Sequence, residues 1–124
     1  MSAAPRVLII DDNEMNLELS SVLLRRDSID VATALDAESA LSQVASFRPD
    51  LVLMDIQLPH TDGLELTRQL RADPALSNLV IIAFTAYAMN GDEARMLAAG
   101  CDGYLSKPLD VPRFAAQVRA FLKT

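Results

Sequence analysis

The chain lacks a cluster of lysines or arginines, has a single cysteine, and contains no Pro-, Gly- or Ser-rich stretch that reads as a linker. Each shortage excludes a class of function. Its 11 Lys and Arg are scattered among 17 Asp and Glu, giving a formal charge of −6, so the basic footprint of a nucleic-acid-binding surface is missing. No apolar run reaches the roughly 20 residues of a membrane span, and residues 1–6 lack the apolar segment of a secretory signal. Cys101 has no second cysteine to pair with, which fits a reducing compartment and a cytoplasmic location. What remains is a folded chain, 51% hydrophobic and 23% charged. With no repeat and no spare length, residues 1–124 are expected to form one domain with its core at about 6–122.

Short apolar runs alternate with amphipathic stretches. "RVLII" (6–10), "IDVATA" (29–34), "DLVLM" (50–54), "LVIIAF" (79–84) and "GYLS" (103–106) have strand length. The first, third and fourth are continuously apolar, as strands covered on both faces are; "IDVATA" alternates and suits an edge. Between them run helical stripes: Met15, Leu19, Val22 and Leu23; Ala37, Ala40, Leu41, Val44 and Ala45; and Val111, Phe114, Ala115, Val118, Phe121 and Leu122. A fourth stretch, 92–99, has only Ala94, Leu97 and Ala98 and is expected to pack least firmly. Asp36 and Asp110, the latter with Pro112, mark helix starts, while "ADP" (72–74) and Gly100 mark ends. The alternation implies right-handed crossovers and an α/β fold with a doubly wound parallel sheet.

In such sheets the functional cleft lies beyond the carboxyl ends of the strands. There the first run ends on Asp11 and Asp12, the third on Asp55, the fourth on Thr85 and the fifth on Lys107. Singly, each has an ordinary explanation. Asp11, with Glu14 three residues on, has the spacing of a capping box. Thr85 could be a strand-end hydroxyl and Lys107 a solvated charge. Asp55 resists this, because it follows "LVLM" and opens a loop. Together, three carboxylates, an ammonium and a hydroxyl form the parts of a phosphoryl-transfer site. Carboxylates that repel by about 4 kcal/mol per pair at close range need a hard cation such as Mg²⁺, and an Asp can attack phosphorus. His60 has no partner at ligand spacing and reads as a loop residue; Cys101 reads as a small buried one.

The segments "LIIDDNEMN", "LVLMDIQLPHTDGLE" and "VIIAFTAYAMNGDEARMLAAGCDGYLSKPLD" resemble the receiver domain of two-component response regulators, in order and spacing over nearly the whole chain. The wording is closest to single-domain regulators of the DivK type and to receivers of hybrid kinases. The resemblance implies a CheY-like, flavodoxin-like sheet in order 2-1-3-4-5 with five helices. It implies phosphoryl transfer to Asp55 from the phosphohistidine of a histidine kinase or histidine phosphotransfer protein. Asp12, Asp55 and the backbone carbonyl of Gln57 would ligate Mg²⁺ (or Mn²⁺), with Asp11 acting through water. Lys107 would hold a phosphoryl oxygen, Thr85 would move to bond another, and Tyr104 would be the aromatic switch residue, changing a surface of the fourth and fifth helices that a downstream protein reads. Without the resemblance, Tyr104 reads as a half-buried core tyrosine. The resemblance further implies a cis Lys107–Pro108 bond, a non-enzymatic signalling role, and a monomer or a weak dimer formed on phosphorylation. Small Ala86 leaves the phosphoryl site accessible, while Gln57 and Tyr87 stand where phosphoryl lifetime is tuned. An excised receiver serving as a phosphorelay intermediate is the alternative.

Two other classes fit less well. A haloacid-dehalogenase-type phosphatase needs a second Asp two residues after the first, where this chain has Gln57. A flavin binder needs a phosphate-cradling loop after the first strand, and "DDNEMN" would repel one.

Overall fold

The structure, a computed structural model, describes residues 4–58, 61–86 and 92–122; His60 and Tyr87 lie outside them. In chain order the elements are β1 (Arg6–Ile10), α1 (Glu14–Arg26), β2 (Asp30–Ala34), α2 (Ala37–Phe47), β3 (Leu51–Met54), β4 (Gln57–Leu58), β5 (Thr61–Asp62), α3 (Gly63–Arg71), a 3₁₀ turn (Pro74–Leu76), β6 (Val80–Thr85), α4 (Asp92–Ala99), β7 (Gly103–Ser106) and α5 (Phe114–Leu122). The main sheet has the order β2-β1-β3-β6-β7, all pairs parallel, which is 2-1-3-4-5 when its own strands are counted along the chain. β2 lies at an edge, as its alternation predicts. β4 and β5 form a two-residue antiparallel pair where the sequence suggests only a loop.

The apolar runs of β1, β3 and β6 feed two cores at once, because alternate side chains point to opposite faces. Leu8, Ile10, Val52, Met54, Ile81 and Ala83 meet Ala40 and Val44 of α2, Leu64, Leu66 and Leu70 of α3, and Met96 and Ala99 of α4. Val7, Ile9, Leu51, Leu53, Ile82 and Phe84 meet Leu17 and Leu24 of α1 and Phe114 and Val118 of α5. Continuous burial of these strands follows from having helices on both sides.

Helix faces are where the structure departs from the sequence pattern. α1 buries Leu17, Ser20, Ser21 and Leu24, and turns Met15, Leu19 and Val22 outward. Its apolar residues occupy two sides, and the side against the sheet carries small serines at the contact. Ser21 donates its hydroxyl to the Leu17 carbonyl at 2.6 Å, so burial leaves it paired. α4 likewise buries Met96 and Ala99, and exposes Ala94, Leu97 and Ala98. In α2, Ala40 and Val44 are buried while Leu41 and Ala45 are exposed. Val111 precedes α5 and is exposed, and the remaining α5 stripe packs as its spacing predicts.

The caps also differ in one place. Asn13, rather than Asp11, caps α1, its side chain accepting the Asn16 N–H at 3.1 Å. Asp36 and Ser39 form a reciprocal capping box on α2. Gly100 ends α4 with φ of +113°, a left-handed conformation that suits glycine. Its carbonyl accepts from Arg71 Nε at 2.9 Å; the same guanidinium reaches the Leu79 carbonyl at 2.6 Å and Asp102 at 2.7 Å, tying α3, β6 and the end of α4 together. Among the described residues no helix is long and apolar enough to cross a membrane.

The inward face of α1 makes a direct prediction. Leu24 is fully buried and Leu19 is 43% exposed. In urea unfolding, Leu24→Ala is expected to cost about 2–5 kcal/mol and Leu19→Ala no more than about 0.5 kcal/mol. The opposite ranking would place the Met15–Leu19–Val22 stripe inside.

Candidate functional site

The carboxyl ends of β1 and β3 are adjacent and parallel, with Ile10 beside Met54 in register. The next residue on each strand is therefore delivered to one edge: Asp11 and Asp12 from β1, Asp55 from β3. Backbone hydrogen bonds hold both turns, from Asp11 N–H to the Ala34 carbonyl at 3.1 Å and from Asp55 N–H to the Ile10 carbonyl at 2.9 Å. One carboxylate oxygen from each of Asp11, Asp12 and Asp55 lies within 4.8 Å of the others. Asp11 and Asp55 are buried and Asp12 is exposed, so the cluster opens to solvent on one side.

Each buried carboxylate has partners. Asp11 accepts the Asn13 N–H at 2.9 Å through Oδ1 and Lys107 Nζ at 2.9 Å through Oδ2. Asp55 accepts the Gln57 N–H at 2.9 Å through Oδ1 and Lys107 Nζ at 3.5 Å through Oδ2. Lys107 thus bridges the two carboxylates and lies closer to Asp11. Burial pushes the Asp55 carboxyl up from its ordinary value; the Gln57 N–H and the Lys107 charge pull the other way, and the Asp11 charge adds to the upward push. With all three acids ionised, one ammonium leaves two negative charges uncompensated. A divalent cation balances them, and hard carboxylate oxygens are its preferred donors, so the residues present fit Mg²⁺.

The structure brings the other expected residues to this edge to different degrees. Thr85 ends β6, is buried, and accepts the Lys107 N–H at 2.8 Å through its backbone carbonyl, so hydroxyl and ammonium residues are linked through the main chain. The Lys107–Pro108 bond is cis. Gln57 starts the small β4–β5 pair with its side chain exposed and its amide turned to Asp55. Tyr104 sits apart in edge strand β7, opposite Ala83, half-buried against the core cluster that contains Met96 of α4.

Two contributors are not singled out by the sequence. A Cβ on Gly63 would stand 2.3 Å from the Asp55 carbonyl oxygen, so only glycine lets α3 begin against this loop. Phe84 lies under Lys107, its ring centroid 5.3 Å from Nζ. Gly63 follows the helix-capping Asp62, a spacing that marks a helix start without revealing the close approach; Phe84 is hidden in an apolar run.

The model of the response regulator receiver domain matches residues 7–119. The chain belongs to the response-regulator receiver family. This receiver is 42% identical over 116 residues to the polar-differentiation response regulator DivK of Brucella anthropi, covering 94% of each chain. Among solved structures it is similar to a putative response regulator from Chloroflexus aurantiacus, with TM-score 0.90 and 29% identity over 98% of this chain and 99% of that one. A CheY-like receiver domain protein from Methanospirillum hungatei aligns with TM-score 0.87 and 27% identity, covering 96% of this chain and 94% of that one.

The receiver's buried acid has a measurable cost. Since the folded-state pKa of Asp55 is raised, the folded chain resists ionising it, and stability is lost as pH rises through that value. Below about pH 3.9, where the group is protonated folded or unfolded, this loss vanishes. In metal-free protein Asp55→Asn is expected to unfold at a higher temperature than the wild type at pH 7. The difference should shrink toward acid pH in calorimetry; a less stable Asn variant at pH 7 would contradict it.

Proposed function

We propose that this receiver accepts a phosphoryl group on Asp55, in a Mg²⁺-dependent (or Mn²⁺-dependent) transfer from the phosphohistidine of a histidine kinase or phosphotransfer protein. The observation that supports it is a buried carboxylate paired to Lys107 beside two further carboxylates at a sheet edge open to solvent. Asp12, Asp55 and the Gln57 carbonyl would hold the ion, with Asp11 acting through water. The bound cation supplies positive charge to the carboxylates and to the entering phosphoryl oxygens.

The rest is done by the chain. An Asp55 carboxylate oxygen attacks phosphorus, the P–N bond breaks as the P–O bond forms, and imidazole leaves with the electron pair. Lys107 turns an N–H from the carboxylates to a phosphoryl oxygen. The added charge of about −1.5 to −2 then draws the Thr85 hydroxyl toward it. Tyr104 fills the space Thr85 leaves. α4 is suited to follow, because only Met96 and Ala99 of its eight residues are buried. The altered α4–β7–α5 surface is what a downstream protein reads, so the receiver is a signalling switch, not an enzyme with a turned-over substrate. Residues 1–124 act as one such unit, cytoplasmic, and monomeric or weakly dimeric when phosphorylated.

The donor's entry is suggested by α1. Met15, Leu19 and Val22 make an exposed apolar stripe on the helix that starts two residues after Asp12, and a donor must bring its histidine to that same edge. An apolar helical surface carrying the phosphohistidine is the complementary partner.

Incubation with Mg²⁺ and a small acyl-phosphate donor, read by intact mass, is expected to add one phosphoryl group to the wild type and none to Asp55→Asn. Equal labelling of both, or of neither, sinks the proposal. Leu19→Asp should label normally from the small donor but accept phosphoryl groups from a protein phosphohistidine about tenfold more slowly, a loss of about 1.4 kcal/mol in docking.

A further inference from the structure

We propose that Phe84 is a positioning residue for Lys107: its ring face holds the ammonium at the carboxylate cluster while leaving its N–H groups free to be redirected. This rests on the reading of Asp55 as the phosphoacceptor. Lys107 Nζ stands over the ring at 5.3 Å from the centroid, within the roughly 6 Å range of cation–π attraction. The Lys107 side chain is only 18% exposed, so little water competes with the ring for the charge. The ring itself cannot drift. Phe84 is buried in the core beneath α1 and α5, and its centroid lies 5.7 Å from that of Phe114, which is 1% exposed, with the planes tilted by 31°.

The arrangement suits a lysine that must change partners. In this structure the ammonium donates to Asp11 at 2.9 Å and reaches Asp55 at 3.5 Å. Both bonds are directional, and a phosphoryl group on Asp55 would take one of them over. The attraction of a cation to an aromatic face is broad and consumes no hydrogen bond, so it persists as the N–H groups turn. An aliphatic residue of similar volume would fill the core equally well, without attracting the charge. Phe84 also precedes Thr85, whose carbonyl accepts the Lys107 N–H at 2.8 Å, so consecutive β6 residues fix the backbone and the head group of the same lysine.

Packing alone would make Phe84 important for stability, so the test must vary the ring's electrostatics at constant shape. Phe84 is replaced, at that position only, by mono-, di- and trifluorinated phenylalanine, which withdraw density from the ring face with little change in volume. With a small acyl-phosphate donor and saturating Mg²⁺, the rate of Asp55 labelling is expected to fall stepwise along the series, to about five- to tenfold slower at the trifluorinated ring. Thermal unfolding temperatures should show no parallel trend. A rate that does not change across the series overturns the proposal and leaves Phe84 as a core residue. A second measurement needs neither metal nor phosphoryl transfer. In metal-free protein the Lys107 ε-methylene protons are expected upfield of ordinary lysine positions through the ring current, and to return in Phe84→Leu. Should the wild type take no phosphoryl group, the acceptor reading fails and the NMR measurement decides this one: unshifted Lys107 protons overturn it.

Discussion

Two carboxylates, those of Asp11 and Asp55, lie buried at the carboxyl ends of neighbouring parallel strands, and one ammonium, Lys107, bridges them. Most of the remaining structure can be understood as what makes that grouping tolerable. β1 and β3 are pinned in register by the sheet, so the acids cannot move apart along the strand direction. Lys107 is brought across from β7 through its backbone bond to Thr85. The amides of Asn13 and Gln57 each donate to one acid, and the start of α3 is admitted beside Asp55 because residue 63 has no side chain. The compensation is incomplete, since burial still outweighs the favourable contacts at Asp55. The uncompensated negative charge is what suits the site to a divalent cation.

The two faces of the sheet carry different duties. Beneath α1 and α5, Phe84 and Phe114 stack into a firm support that ends at the Lys107 ammonium. On the opposite face, Tyr104 is half-buried in a cluster closed by the lightly held α4, whose far end is tied to Arg71 through Gly100. One face thus carries the aromatic pair near the charges, and the other the half-buried tyrosine. Strand alternation produces this division, since Phe84 and Thr85 are consecutive yet face opposite layers.

Membership of the receiver family and the sheet order agree with the motifs and the strand–helix alternation. The acids and the lysine were legible because unfavourable charges stand where apolar runs stop, and the crossover rule sends all strand ends to one edge. The helix faces were less so. Of the stripe Met15, Leu19, Val22 and Leu23 only Leu23 packs against the core, because α1 turns inward the face of Leu17, Ser20, Ser21 and Leu24, two of whose residues are serines that a hydrophobicity pattern does not register. In α4 the same ambiguity favoured Ala94 and Leu97 over Met96 and Ala99. Asp11 has the spacing of a cap, yet Lys107 claims its carboxylate and Asn13 takes the capping role.

By itself, then, the sequence determined the strands of the main sheet, their direction and the identity of the charged residues at their ends. Those depend on periodicity and on local chemistry, which a linear chain displays. Only the tertiary structure decided which face of α1 is buried, that Lys107 pairs more closely with Asp11 than with Asp55, that Gly63 must be bare, and that the Phe84 ring lies beneath the ammonium. Each of these is a contact set by how helices and loops settle on the sheet, and spacing along one segment carries no record of it.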